Sequence, residues 1–139
     1  MYGKWVQGRG TIPAGSDAYI VHRLLVAGEH PIWLQAGTWY GGDAGEYIRF
    51  ALIAPNVPGI GAKSIDEFVS VGNGIPIFAG NIEGGLTAQT CTPLFGDLQR
   101  TTMGTVLRVP PRWTLVVYGA SASSAEWNIT IGGYECLEG

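Results

Sequence analysis

From Glu126 to Ile131 apolar and polar residues alternate, with Trp127, Ile129 and Ile131 on one side and Asn128 and Thr130 on the other. A period of two puts successive side chains on opposite faces of an extended chain, so this stretch reads as a strand with one buried face. Trp113 to Tyr118 is different. Trp113, Leu115 and Val117 share one side, but Thr114, Val116 and Tyr118 make the other side largely apolar too. That pattern predicts a strand covered twice, by its own core and by a neighbouring subunit. Tyr47 to Ile53 reads as a strand with Ile48, Phe50 and Leu52 inward and Tyr47 and Arg49 outward. Tyr19 to Val26, Ile32 to Ala36 and Ile75 to Ala79 are also strand-like. Pro76 cannot donate to a ladder, which assigns the last of these to a sheet edge.

Turn signals separate these segments: Pro13 to Asp17, Gly41 to Gly45, Pro58-Gly59, Gly72 to Gly74, Gly84-Gly85, Pro110-Pro111 and Gly132-Gly133. Short strands at this rhythm predict an all-β fold, a two-sheet antiparallel β-sandwich, and leave no room for βαβ units. Helix is confined to one or two very short pieces. Ser64-Ile-Asp-Glu67 has capping-box spacing and Gly72 stops anything that follows. A strand from Glu67 to Val71 competes for the same residues. Thr92-Pro93 offers a second start, limited to one turn by Gly96. The chain is expected to form a single domain over residues 1–139, with residues 1–10 as a possible extended arm.

Gly10-Thr-Ile-Pro-Ala-Gly15 precedes one apolar strand, and Arg108-Val-Pro-Pro-Arg112 precedes another. In each, an apolar residue and a Pro end one segment before a turn launches the next. Proline suits the point where a chain leaves one sheet for another. Two such corners predict a jelly-roll-like topology. The run Thr105 to Gly119, followed by a small-residue loop and Glu126-Trp-Asn-Ile-Thr-Ile131, resembles the closing strands of jelly-roll virion proteins. It is similar in particular to small phage capsid-decoration (cement) and head or tail accessory proteins. The resemblance implies a sandwich that oligomerises, with a trimer favoured, and clamps neighbouring shell subunits. It also implies the major capsid protein and further copies of the chain as partners, and a virion location after synthesis in the host cytoplasm.

Composition narrows the partners. Charged residues make up 14% of the chain, against about 25% in ordinary soluble proteins, and Gly supplies 22 of 139 positions. Few charges suit a surface partly covered by neighbours; they equally suit a turn-rich β-protein with a neutral surface. The net charge is −3 and the eight basic residues are scattered. Phosphate-backbone binding needs a clustered basic face, so nucleic acid is not expected as a partner. No apolar run approaches the roughly 20 residues of a membrane span, and the N-terminal residues lack the apolar core of a signal peptide. Cys91 and Cys136, the only cysteines, read as reduced residues, with a single bridge as the lesser alternative.

Candidate chemistry is sparse. Gly119-Ala-Ser-Ala-Ser123 lacks the second Gly of a nucleophile elbow. His22 and His30 have no third ligand at metal-binding spacing, so no metal and no cofactor is expected. Asp43 and Glu46 share a loop, but paired carboxylates act only at a defined separation across a cleft. Gly8-Arg-Gly10 and Gly59-Ile-Gly61 do not lead from a strand into a long helix and read as ordinary turns. Asn128-Ile-Thr130 matches a glycosylation acceptor, which has no meaning without secretion.

The aromatics carry more. Trp39 and Tyr40 run into the Gly-rich stretch that ends at Asp43. Exposed rings beside a carboxylate suit a protein hot spot or a sugar; alternatively, one ring closes the end of the sandwich. The candidate contact residues are Trp39, Tyr40 and Asp43 in that loop, and Trp113 and Tyr118 on the doubly apolar strand. The expected function is structural, with no enzymatic activity; the alternative is a carbohydrate- or receptor-binding module using the aromatic loop.

Overall fold

The computed structural model describes residues 3–84, 86–91 and 108–136. Its elements are β1 (Gly3–Ile12), β2 (Val21–Val26), β3 (Ile32–Gly41), β4 (Tyr47–Ile53), α1 (Ile65–Val69), β5 (Gly74–Glu83), β6 (Leu86–Cys91), β7 (Arg108–Val109), β8 (Thr114–Gly119) and β9 (Trp127–Cys136). One antiparallel sheet runs β1-β9-β3-β6, with the short β7 also on β3; the other runs β2-β8-β4-β5. Setting β7 aside, the first strand pairs with the last, the second with the second-last, and so inward to β4 and β5. A long antiparallel ribbon has been rolled so that β9 also meets β3 and β8 also meets β4. This is jelly-roll order, two Greek keys closed into a sandwich.

The alternating residues fill the space between the sheets. Trp39, Trp127, Phe50, Leu34, Leu115 and Ile131 form its centre and are all but inaccessible. Both Pro corners lie where expected, each carrying the chain from the first sheet to the second. They are alike in detail. Ser16 N–H donates to the Pro13 carbonyl at 3.2 Å, and Trp113 N–H donates to that of Pro110 at 3.1 Å. The third residue of each turn has positive φ, 79° at Gly15 and 69° at Arg112, the mark of a type II turn.

Several expectations are corrected. Residues 3–10 are not an arm: β1 is paired with β9 over its whole length. Gly8 and Gly10 are not in a turn but inside β1, where a Cβ on Gly8 would lie 2.0 Å from the Leu24 carbonyl oxygen. They let β1 lie directly on β2. Gly132 and Gly133 are likewise inside β9, which continues to Cys136. At residues 64–71 the helix prevails over the strand. Ser64 N–H donates to the Glu67 carboxylate at 2.8 Å, and Phe68 and Ile65 bury themselves. The suggested turn at Thr92-Pro93 lies outside the described residues. Pro76 is on the edge strand β5, opposite Ala51.

Candidate functional site

The outward side of β8 is covered, but by the chain itself. Val116 and Tyr118 join Val21, Ala51 and Ile53 in a second apolar cluster, roofed by Ile65 and Phe68 of α1 with Val57 and Ile60 from the preceding loop. No neighbouring subunit is needed there. Tyr118 is therefore not a contact surface: it is buried, and burial pushes its hydroxyl pKa up against the opposing pull of the Arg49 guanidinium. Trp113 is half-buried against the main core, and its carbonyl accepts from Ala27 N–H at 2.9 Å.

Trp39 is also corrected. It lies in β3 and not in a loop, is 0% exposed, and meets Phe50 with ring centroids 6.1 Å apart. Ile32 and Leu34 point inward at even positions, which continued along the strand would turn Trp39 outward. A bulge between Leu34 and Ala36 switches the parity, so Gly37 and Trp39 point in and Tyr40 points out. Tyr40 is 47% exposed.

Asp43 and Glu46 sit in the short β3–β4 loop, and their role is to fasten loops together. Glu46 is buried; its carboxylate accepts from Asp43 N–H at 2.7 Å, from the Ser124 hydroxyl at 2.7 Å and from Ser124 N–H. Burial alone would raise its pKa, but these donors outweigh it and hold the carboxyl below the ordinary glutamate value. The same Ser124 hydroxyl lies 2.5 Å from the Asp43 carboxylate, so its one proton is shared between the two carboxylates. Gly15 N–H then donates to the Ser123 carbonyl, tying the β1–β2 loop to the same end. Glu46 is bound by hydroxyl and amide donors and Asp43 by the shared hydroxyl, as a structural clasp requires.

The exposed aromatic surface is elsewhere, on the outer face of the β1-β9-β3 sheet. Trp5 is in register with Tyr134, Tyr134 with Trp33, and Trp33 with Arg108. The row crosses four strands. Trp5 and Tyr134 are 46% and 45% exposed and meet edge to face at 5.1 Å; the Arg108 guanidinium stands 6.0 Å over the Trp33 ring. Gly132 explains how Trp5 lies down: a Cβ there would come within 2.4 Å of the indole. Beside that ring is a shallow groove of about 190 Å³ bordered by Gln7, Thr38 and Thr130. The outward residues of β1 and β9 at alternate positions are the signal that finds this face, once Gly132 and Gly133 are read as strand.

His22 and His30 do not assemble a site. Among the described residues no three His, Cys, Asp or Glu side chains come together as metal ligands. Cys136 is a buried free thiol. No helix is long and apolar enough to cross a membrane.

No family model matches the chain, and no curated protein matches it. Among solved structures it is similar to one described as the cyanophage Pam1 capsid asymmetric unit, at 10% identity and TM-score 0.45, covering 96% of this chain and 86% of that one. It is similar to the acidic stable capsid of Helicobacter pylori bacteriophage KHP30, at 5% identity and TM-score 0.40, covering 94% and 86%. A third, IMPa from Pseudomonas aeruginosa in complex with an O-glycopeptide, has 12% identity and TM-score 0.37, covering 96% of this chain and 13% of that one. At these identities and scores the likeness concerns the path of the chain and says nothing of what it does.

Proposed function

We propose that this protein is a structural component of a virion that acts through its surface, as a decoration or cement protein bridging neighbouring shell subunits. The observation that carries this reading is the aromatic row Trp5–Tyr134–Trp33 on a sheet face that no other described element covers. On the opposite sheet the outward side of β2, β8 and β4 is roofed by the chain's own residues, so among the described residues the aromatic face is the broad one left for a partner. Three strands of 10 residues, with the 6-residue β6 and the 2-residue β7 on the far side of β3, present a face of roughly 600 Å² in projection, close to the ~800 Å² per partner of a stable interface. Trp, Tyr and Arg are the residue types that anchor such interfaces. The clasped loops at one end keep the face rigid, which lowers the entropy lost on docking. Repetition around a shell would multiply individually weak contacts. A homotrimer with the major capsid protein as partner is the finer form of the proposal, with no catalytic step.

Co-sedimentation with virions tests it, with light scattering for the solution mass. Wild type should pellet with the particles, and Trp5→Ala with Tyr134→Ala should stay in the supernatant with its melting temperature kept. A stable monomer that never pellets with a particle would sink the proposal.

One observation favours a second reading, carbohydrate binding. Trp5 lies flat over Gly132 beside Gln7, Thr38 and Thr130, an arrangement able to stack on a sugar ring while hydrogen-bonding its hydroxyls. A glycan screen with Trp5→Ala, rather than the buried Trp39, as the control decides it. Binding that survives the substitution removes this site.

A further inference from the structure

Three arginines far apart in sequence come to one edge of the sandwich. Two recesses adjoin along the edge strand β2, sharing Arg23 and Ile60. The smaller, about 430 Å³, is bordered by Arg9, Thr11 and His22; the larger, about 740 Å³, by Arg112, Val26 and Val57. No Asp or Glu is among the described residues lining either one. In a chain whose net charge is −3, this is a local reversal of sign that the scattered basic residues gave no warning of.

His22 is half-buried, with Nε2 turned away from solvent, and its ring borders the smaller recess. Arg112 occupies the positive-φ position of its turn, where the equivalent turn has Gly15. An L-residue with a long side chain is strained there and Gly is not. The backbone alone would favour Gly, and the Arg that stands there borders the larger recess.

We propose that this groove binds an extended acidic segment of a partner protein. Guanidinium groups take carboxylates bidentately. Between Arg23 and Arg112 the groove is walled by Val26, which is 50% exposed, with Val57 and Ile60. Phosphate groups would leave those apolar residues without contacts, whereas a peptide alternating acidic and apolar side chains fills both kinds of position. Arg9 and Thr11 project from the same side of β1 as Trp5 and Gln7, so the groove begins at the rim of the aromatic face and continues over β2; its existence does not depend on the virion reading.

The test is fluorescence anisotropy of a labelled peptide of alternating Glu and Val, titrated with the full chain. Competition arms use inorganic phosphate and a single-stranded oligothymidine. Binding should weaken at least about fivefold between 50 and 200 mM NaCl, as screening requires. Arg23→Gln should lose at least fivefold, and Arg112→Gly should lose as much while its melting temperature holds or rises. Arg108→Gln, on the aromatic face, should bind as wild type does. Failure of wild type to bind the peptide, unchanged binding by Arg23→Gln and Arg112→Gly, or stronger competition by oligothymidine or phosphate than by unlabelled peptide would each overturn the proposal.

Discussion

Replacing Trp39 by Ala separates the two places this ring could occupy. In a surface loop its loss would change stability by no more than about 0.5 kcal/mol. In β3 it is fully buried, against Phe50 and under the second sheet. A buried Trp withdraws about 150–250 Å² from water, which at ~25 cal/mol per Å² corresponds to about 4–6 kcal/mol. Measured truncations of buried Trp or Phe cost about 3–5 kcal/mol, and that lower range is the expectation here. For a chain of this size the melting temperature should fall by roughly 10–20 °C. Urea unfolding followed by far-ultraviolet circular dichroism gives the free energy without relying on the fluorescence of the deleted ring. Tyr40→Ala, one position on and exposed, is the internal control and should stay within about 0.5 kcal/mol of wild type. Equal and small effects at both positions would refute the inward register of β3 and with it the bulge that produces it.

Three further outcomes follow from particular contacts. Glu46 titrates below the ordinary glutamate value in the folded chain, so the stability it confers is complete above that value and is lost as pH falls through the depressed one. Melting curves from about pH 6 to pH 2.5 should show this decline in wild type, with a shallower decline in Glu46→Gln; parallel profiles would remove the clasp. At neutral pH the same substitution should cost about 1–3 kcal/mol, because it replaces a charged acceptor of several donors. Gly8→Ala should destabilise by about 1–3 kcal/mol or more, since its Cβ would meet the Leu24 carbonyl; a neutral outcome would show that β1 does not lie against β2. Glu67→Ala removes the capping-box acceptor at α1 and should cost about 1 kcal/mol, read as a lower urea midpoint.

The exposed face was partly legible in the sequence and partly not. Alternation at Asn128 and Thr130 already marks the outward side of β9, and two more residues in the same period lead to Gly132 and Tyr134. The Gly pair looks like a turn because glycine usually punctuates. Here Gly132 makes room for an indole and Gly133 for a close backbone approach by β3, reasons that exist only once the strands are side by side. The basic groove was not legible at all, because Arg9, Arg23 and Arg112 are joined by no local pattern.

Local periodicity and turn chemistry by themselves determined the all-β class, the inward residues of β4, β8 and β9 and the two Pro corners, and offered the capping box at Ser64 beside a competing strand. Each is set by interactions between residues a few positions apart, which is the range over which a sequence pattern acts. Tertiary structure decided what covers each face. The apolar outer side of β8 reads identically whether a neighbouring molecule or the chain's own residues 54–73 lie on it, because burial removes the same apolar area from water in either case. It decided the parity of β3 as well. One extra residue at the bulge beside β9 turns Trp39 from a surface ring into the centre of the core, and leaves Trp5, Tyr134 and Trp33 as the aromatic face that meets the solvent.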